Sequence, residues 1–149
     1  MSKHNYFLII GGVISALISI LHVFLAIMPD FFRYVTPGET SGLSQMAEQG
    51  SSTTTVLSVI LAIIFAIWAI YAFSGAGLIR PLPLLRVALV AIGAIYILRA
   101  LFLPSEINMV MTQGYPFRFV IFSTISLVAG ILYLIGFWKL KSLSTLNKN

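Results

Sequence analysis

Apolar residues in this chain are gathered into four long runs, and polar residues are concentrated in the segments between them. The runs cover residues 6–28, 54–73, 83–103 and 117–138. Each holds about 20 residues, the length at which an α-helix crosses the roughly 30 Å hydrocarbon core of a bilayer. The pattern predicts an all-α fold, a four-helix bundle integral to the membrane, in which residues 1–149 form a single domain.

Helix-breaking residues lie at the ends of these runs. Pro29 follows the first run, and the sequence SGAG at 74–77 ends the second. Pro83 suits the first turn of the third helix, and Pro104 is expected just beyond its end. The first run is too long for the apolar part of a signal peptide, and no small-residue cleavage site precedes the polar segment after it, so we expect it to remain as a helix.

The composition indicates a lipid environment. Hydrophobic residues make up 59% of the chain and charged residues 9%, against about 25% charged residues in a soluble domain; the mean hydropathy is +1.02. The absence of cysteine excludes disulfides, thiolate metal sites and thiol catalysis. The net charge of +5 is explained by the basic bias that orients membrane helices, so no nucleic-acid partner is expected.

Basic residues are distributed unevenly between the two ends of the predicted helices. Six lie at one end of the helices: Lys3 precedes the first run, Arg80 and Arg86 flank the connection between the second and third helices, and Lys139, Lys141 and Lys148 follow the fourth run. The other two connections carry only Arg33 and Arg118. Because Lys and Arg accumulate on the cytoplasmic side, we expect a multi-pass protein of a bacterial inner (plasma) membrane with both termini in the cytoplasm. All four acidic residues then lie on the outer side.

The connection 29–53 is the longest polar segment and belongs to the predicted outer side. Two interpretations of it are open. Residues 41–49 have the pattern of a short amphipathic helix that would lie on the bundle as a lid, with Glu39 as a contact to the site below. Alternatively, the segment is a plain connector with an interfacial turn.

Small residues indicate which helix faces point into the bundle. Gly11, Ser15 and Ser19 recur every four residues in the first helix, a spacing that lets backbones approach closely in lipid. His22 continues the same face, and Arg99 ends a comparable stripe on the third helix. At a rise of 1.5 Å per residue both lie roughly 7–12 Å below the outer ends of their helices. We therefore expect them at one level in the outer half of the bundle.

Arg99 is a charged side chain inside an apolar run, where a guanidinium costs at least ~2.5 kcal/mol unless it finds a partner. Two accounts are open. In the first, Arg99 extends to the outer headgroups or pairs with Glu106 to fix the third helix. In the second, it faces a pocket with Tyr96 as a wall and binds an anionic group, with His22 and Arg118 as neighbours. His22 is either a hydrogen-bonded structural residue or one that binds a ligand or handles protons.

Motifs for several chemistries are absent from the sequence. There is no glycine-rich phosphate loop, no HExxH and no pair of carboxylates inside a run. His4 and His22 are predicted to lie on opposite sides of the membrane, which excludes a two-histidine metal or haem site. No metal site is expected, and the sequence identifies no cofactor.

Three stretches carry a resemblance to a known group of proteins: "LHVFLAIMPDFF", "FAIWAIYAFSGAGLIRPLPLLR" and "AIYILRALFLP". They resemble the small four-helix inner-membrane proteins of bacteria that are loosely DoxX-like. The resemblance implies the four-helix architecture and an accessory role in respiration or the cell envelope, and it supplies no catalytic residue. The segment "SGAGLIRPLPLLR" departs from the DoxX pattern.

Three functions are compatible with these observations. The leading hypothesis is the binding of an amphiphilic or anionic small molecule or a lipid in an outward-facing pocket formed by His22, Tyr96, Arg99, Arg118 and Glu39. The second is an enzyme acting on a lipid-soluble substrate, with His22 as general acid or base. The third is a non-catalytic accessory subunit that contacts another membrane protein or a second copy of itself.

Overall fold

A computed structural model describes residues 4–28, 31 and 52–146, and within these ranges the chain is helical and contains no strand. The helices are α1 (Tyr6–Ile27), α2 (Ser52–Gly75), α3 (Leu85–Ala100), α4 (Leu103–Gln113) and α5 (Arg118–Leu146). Glu39 and the helix expected over 41–49 lie outside the described residues.

Four segments are long and apolar enough to cross a membrane: Tyr6–Ile27, Ser52–Gly75, Leu85–Gln113 and Arg118–Leu140, with mean hydropathies of 2.2 to 2.7. This confirms the prediction of four apolar helices. Large aliphatic side chains cover the outside of the bundle; Ile20 and Val87, for example, are 64% and 65% exposed. In water such a surface would drive aggregation, whereas hydrocarbon solvates it.

The third spanning segment differs from its prediction at one end. The helix was expected to end at residue 103, before Pro104, but a turn at Leu101 and Phe102 is followed directly by α4. Pro104 lies in the first turn of α4, where its missing N–H has no helical partner to lose. Glu106 therefore belongs to the first turn of a helix rather than to a loop, and the negative charge there is favoured by the helix dipole.

The bundle consists of two helix pairs. α1 packs along α2, and α3 packs along α5, while the contacts between the two pairs are sparser and fall mainly between α1 and α5. We call the half that contains the start of α1 and the connection 76–84 the lower half. The upper half contains the end of α1, the start of α2, α4 and the start of α5.

Glycines bring the helices close together in the lower half and at mid-bundle. A Cβ on Gly12 would lie 2.8 Å from Cε1 of Phe73, and one on Gly136 would overlap the side chain of Leu8. The buried Asn5 ties the lower ends together, since its Nδ2 donates to the Gly136 carbonyl at 2.7 Å and its backbone N–H to that of Ala76 at 3.3 Å. The lower half is thus tightly packed, and hydrogen bonds of Asn5 connect its helices.

Candidate ligand-binding cavity

A chain of hydroxyl groups crosses the middle of the bundle. Ser15 Oγ lies 2.9 Å from the hydroxyl of Tyr96 and 2.8 Å from that of Tyr133, and the Tyr133 hydroxyl donates to the Trp68 carbonyl at 2.9 Å. Each hydroxyl has one proton, so Ser15 must donate to Tyr133 and accept from Tyr96. These residues belong to α1, α2, α3 and α5, so a single directed chain connects all four spanning segments.

Above this chain the two helix pairs separate around a cavity of about 980 Å³. Its wall is formed by residues of α1, α2, α3 and α5, and most of them are aliphatic or aromatic, including Leu25, Leu61, Phe65 and Phe122. Trp68 and Tyr96 stand edge to face at the lower end of the cavity, with ring centroids 5.1 Å apart. The upper half therefore contains a large space that is suited to an apolar molecule.

Arg99 lines this cavity and holds three groups in place. Its Nη1 donates to Ser123 Oγ at 2.7 Å and to Glu106 Oε1 at 3.2 Å, and its guanidinium carbon lies 5.9 Å from the centre of the Phe102 ring. The Arg99 side chain is nevertheless 41% exposed. The structure thus shows the pairing with Glu106 that one account predicted, and it also places the guanidinium at the cavity wall, as the other account requires.

Glu106 is enclosed beside this guanidinium. Its side chain is 14% exposed, and Oε2 is buried without a hydrogen-bond donor among the described residues. Since the carboxylate accepts only one bond from Arg99, it keeps unused acceptor capacity in a poorly solvated position. A polar ligand or a water molecule could supply the missing donor.

His22 is the second polar group that sequence reasoning placed in the pocket, and it lines the same cavity as Arg99. Its Nδ1 lies 2.8 Å from the carbonyl of Ile18 one turn earlier. Because a carbonyl only accepts, Nδ1 bears the proton, and the other ring nitrogen is an acceptor in the neutral imidazole. The ring also packs on Phe65 at a centroid distance of 5.2 Å.

The remaining candidates occupy different places. Tyr96 lines the cavity and also belongs to the hydroxyl chain. Arg118 begins α5, with its guanidinium carbon 5.2 Å from the Phe119 ring, and it does not belong to the described lining of the cavity. Glu39 lies outside the described residues. The structure therefore brings together His22, Tyr96 and Arg99.

Ser123 and Trp68 are not among the site residues that the sequence predicts. Ser123 is fully buried and binds Arg99, while Trp68 lines the cavity and its carbonyl ends the hydroxyl chain. In the sequence, two serines three positions apart inside an apolar run, Ser123 and Ser126, are the signal that could have indicated a polar contact for Arg99.

Comparison of this chain with protein-family models, with curated proteins and with solved structures gave no match. Within residues 4–28, 31 and 52–146, no three His, Cys, Asp or Glu side chains come together as a potential metal site.

Proposed function

We propose that this chain is a membrane protein that binds a lipid-soluble, amphiphilic molecule in the cavity between its two helix pairs. One observation carries the proposal: a space of about 980 Å³ is almost entirely apolar but has Arg99 and His22 at its wall. An apolar wall with a few convergent polar groups is typical of a small-molecule site. Such a wall retains the hydrocarbon part of a ligand, and the polar groups fix its head.

Binding without chemistry is the function that the geometry supports best. Nδ1 of His22 is occupied by the carbonyl of Ile18 on its own helix, and in the described part of the chain no carboxylate is within hydrogen-bonding distance of this ring. A general base is usually oriented by such a partner and placed against the proton it removes. The cavity offers positions for a head group and a chain, and its described lining residues form no assembled pair of catalytic groups.

The proposal places the protein in a bacterial inner membrane with the cavity toward the outer side. This placement is supported by the basic residues: Lys139 and the pair Arg80 and Arg86 belong to the lower ends of the helices, at the opposite end from Glu106. With the lower ends in the cytoplasm, a ligand would reach the cavity from the outer leaflet.

Filling the cavity tests the proposal. Leu61 and Ile64 line the cavity on α2, whereas their neighbours Ile60 and Ile63 are 49% and 55% exposed on the outside of the helix. The variant Leu61→Trp/Ile64→Trp removes space for a ligand, and Ile60→Trp/Ile63→Trp adds the same side chains to the lipid-facing surface. Native mass spectrometry of each protein, purified in mild detergent, measures the mass that is retained.

We expect the wild-type protein and the surface variant to retain the same adduct and the cavity variant to lose most of it. If all three proteins retain equal amounts, or if none retains any mass beyond that of the chain, the proposal is wrong. Circular dichroism on the same samples separates loss of ligand from loss of fold.

A further inference from the structure

Arg99 at the cavity wall is paired with Glu106, which lies outside the described lining, and this pairing restricts the head group that the cavity accepts. Nη1 of Arg99 already lies 3.2 Å from Glu106 Oε1, and Glu106 is enclosed at 14% exposure in the first turn of α4. The guanidinium and the carboxylate therefore form a neutral unit. An anion that approaches Arg99 also approaches Glu106, and the repulsion between the two negative charges offsets the attraction.

The polar groups at the cavity wall can both donate and accept hydrogen bonds. Both hydrogen bonds of Arg99 within the described residues use Nη1, which leaves Nε and Nη2 as donors. His22 donates through Nδ1, so its other nitrogen accepts in the neutral imidazole. Beside the wall, Glu106 Oε2 has no donor in the described part of the chain. A hydroxyl group can donate and accept, whereas a sulfate or an ionised carboxylate can only accept.

The apolar space extends downward beyond the cavity. A groove of about 300 Å³ lies between α2 and α3 and shares two wall residues with the cavity, Trp68 and Ile95. Its other walls include Tyr71 and Leu84, close to the connection 76–84. The cavity and the groove therefore lie next to each other at Trp68 and Ile95. A single hydrocarbon chain that passes Trp68 would extend from the level of Arg99 toward the lower half.

We infer that the ligand is an uncharged amphiphile with one long chain, whose hydroxyl-bearing head lies at Arg99 and Glu106 and whose chain passes Trp68 into the groove between α2 and α3. Monoacylglycerols, fatty alcohols and isoprenoid alcohols belong to this class. The inference rests on the proposed function and adds to it the charge of the head and the path of the chain.

The two tryptophans of the chain provide the test. Trp68 lies where the cavity and the groove meet, and Trp138 is 73% exposed near the lower end of α5. In the variant Trp138→Phe the fluorescence reports on the cavity. In the matched control Trp68→Phe it reports on the surrounding lipid. Bromine quenches tryptophan at short range, so each protein, in phosphatidylcholine nanodiscs, is titrated with a monoacylglycerol that is brominated at mid-chain.

A second titration uses an alkyl sulfate with the same brominated chain, which is always anionic. We expect the monoacylglycerol to quench Trp68 at a concentration about tenfold lower than it quenches Trp138, and the sulfate to quench both alike. Preferential quenching of Trp68 by the sulfate would overturn the inference while leaving the proposed function in place. If neither probe prefers Trp68, the inference is overturned, and the mass retained by the wild-type protein and the cavity variant decides separately on the proposed function.

Glu106→Gln in the Trp138→Phe background tests the cause of the selectivity. The amide keeps the shape of the side chain but leaves the charge of Arg99 uncompensated, so the sulfate should then quench Trp68 at a concentration about tenfold lower than before. The monoacylglycerol should change much less. If the sulfate titration is unchanged by this substitution, Glu106 does not set the charge preference and the inference is overturned.

Discussion

The hydroxyl chain through Ser15 makes a prediction about the free energy of unfolding. Ser15→Ala removes a hydroxyl that contacts both tyrosines, so it breaks two hydrogen bonds, whereas Tyr96→Phe breaks one. Interhelical hydrogen bonds in membranes contribute about 0.6 kcal/mol on average and up to about 1.7. Ser15, Tyr96 and Tyr133 are all buried, and the substitution deprives both tyrosine hydroxyls of a partner, which places these bonds toward the upper end of this range.

We therefore expect Ser15→Ala to lower the free energy of unfolding by about 2–3 kcal/mol and Tyr96→Phe by about 1–1.5 kcal/mol. Because Tyr96 and Ser15 share one bond, the two substitutions should not be additive. In the Tyr96→Phe protein, Ser15→Ala should cost only what the remaining bond to Tyr133 contributes, about 1–1.5 kcal/mol. Unfolding by SDS in mixed micelles, followed by circular dichroism, measures all of these values.

Ser126→Ala is the matched control. Ser126 is also buried, but its hydroxyl donates to the Phe122 carbonyl on its own helix, a bond that contributes little to helix stability, so the loss should stay below about 0.5 kcal/mol. If Ser15→Ala costs no more than Tyr96→Phe, or no more than Ser126→Ala, the directed chain does not link the helices as described.

Two further predictions concern packing and orientation. Gly12→Leu should lower the free energy of unfolding by about 1–3 kcal/mol or prevent folding, because a Cβ at this position would lie 2.8 Å from Cε1 of Phe73. The control Val13→Leu, at the exposed neighbouring position, should be nearly neutral in the same SDS assay. Equal stability of the two variants would contradict the close contact. A cysteine that replaces Ser105 should react with a membrane-impermeant thiol reagent in spheroplasts, and one that replaces Leu78 should not. The reverse labelling would show that the cavity faces the cytoplasm.

The four spanning helices could be predicted from the sequence because one physical requirement controls them. A bilayer demands about 20 apolar residues per crossing, and that requirement is visible in any single stretch of the chain. The end of the third segment could not be read in the same way. Pro104 is equally compatible with the end of one helix and the first turn of the next, and the structure places it in α4.

The cavity depends on contacts between residues that are distant in sequence. Ser15 and Tyr133 are 118 positions apart and Arg99 and Ser123 are 24 apart, so no local pattern defines these pairs. The pairing of Arg99 with Glu106 could be predicted from the sequence as one of two alternatives, because the two residues are only 7 positions apart. Arg99 also lines the cavity because the two helix pairs are separated above Tyr96. This separation cannot be predicted from the hydropathy of each helix.

The level of the hydroxyl chain divides the bundle mechanically. Below it, contacts such as Gly12 with Phe73 and Gly136 with Leu8 join the two helix pairs or lock the helices within them, and above it the pairs are separated by the cavity. Thermal fluctuations should therefore have small amplitudes below Ser15 and larger amplitudes above it. In the upper half, the ends of α1 and α2 should move away from α3 and α5. A molecule already dissolved in one leaflet could enter sideways through this spreading, so uptake would require neither a passage through water nor any rearrangement in the opposite leaflet.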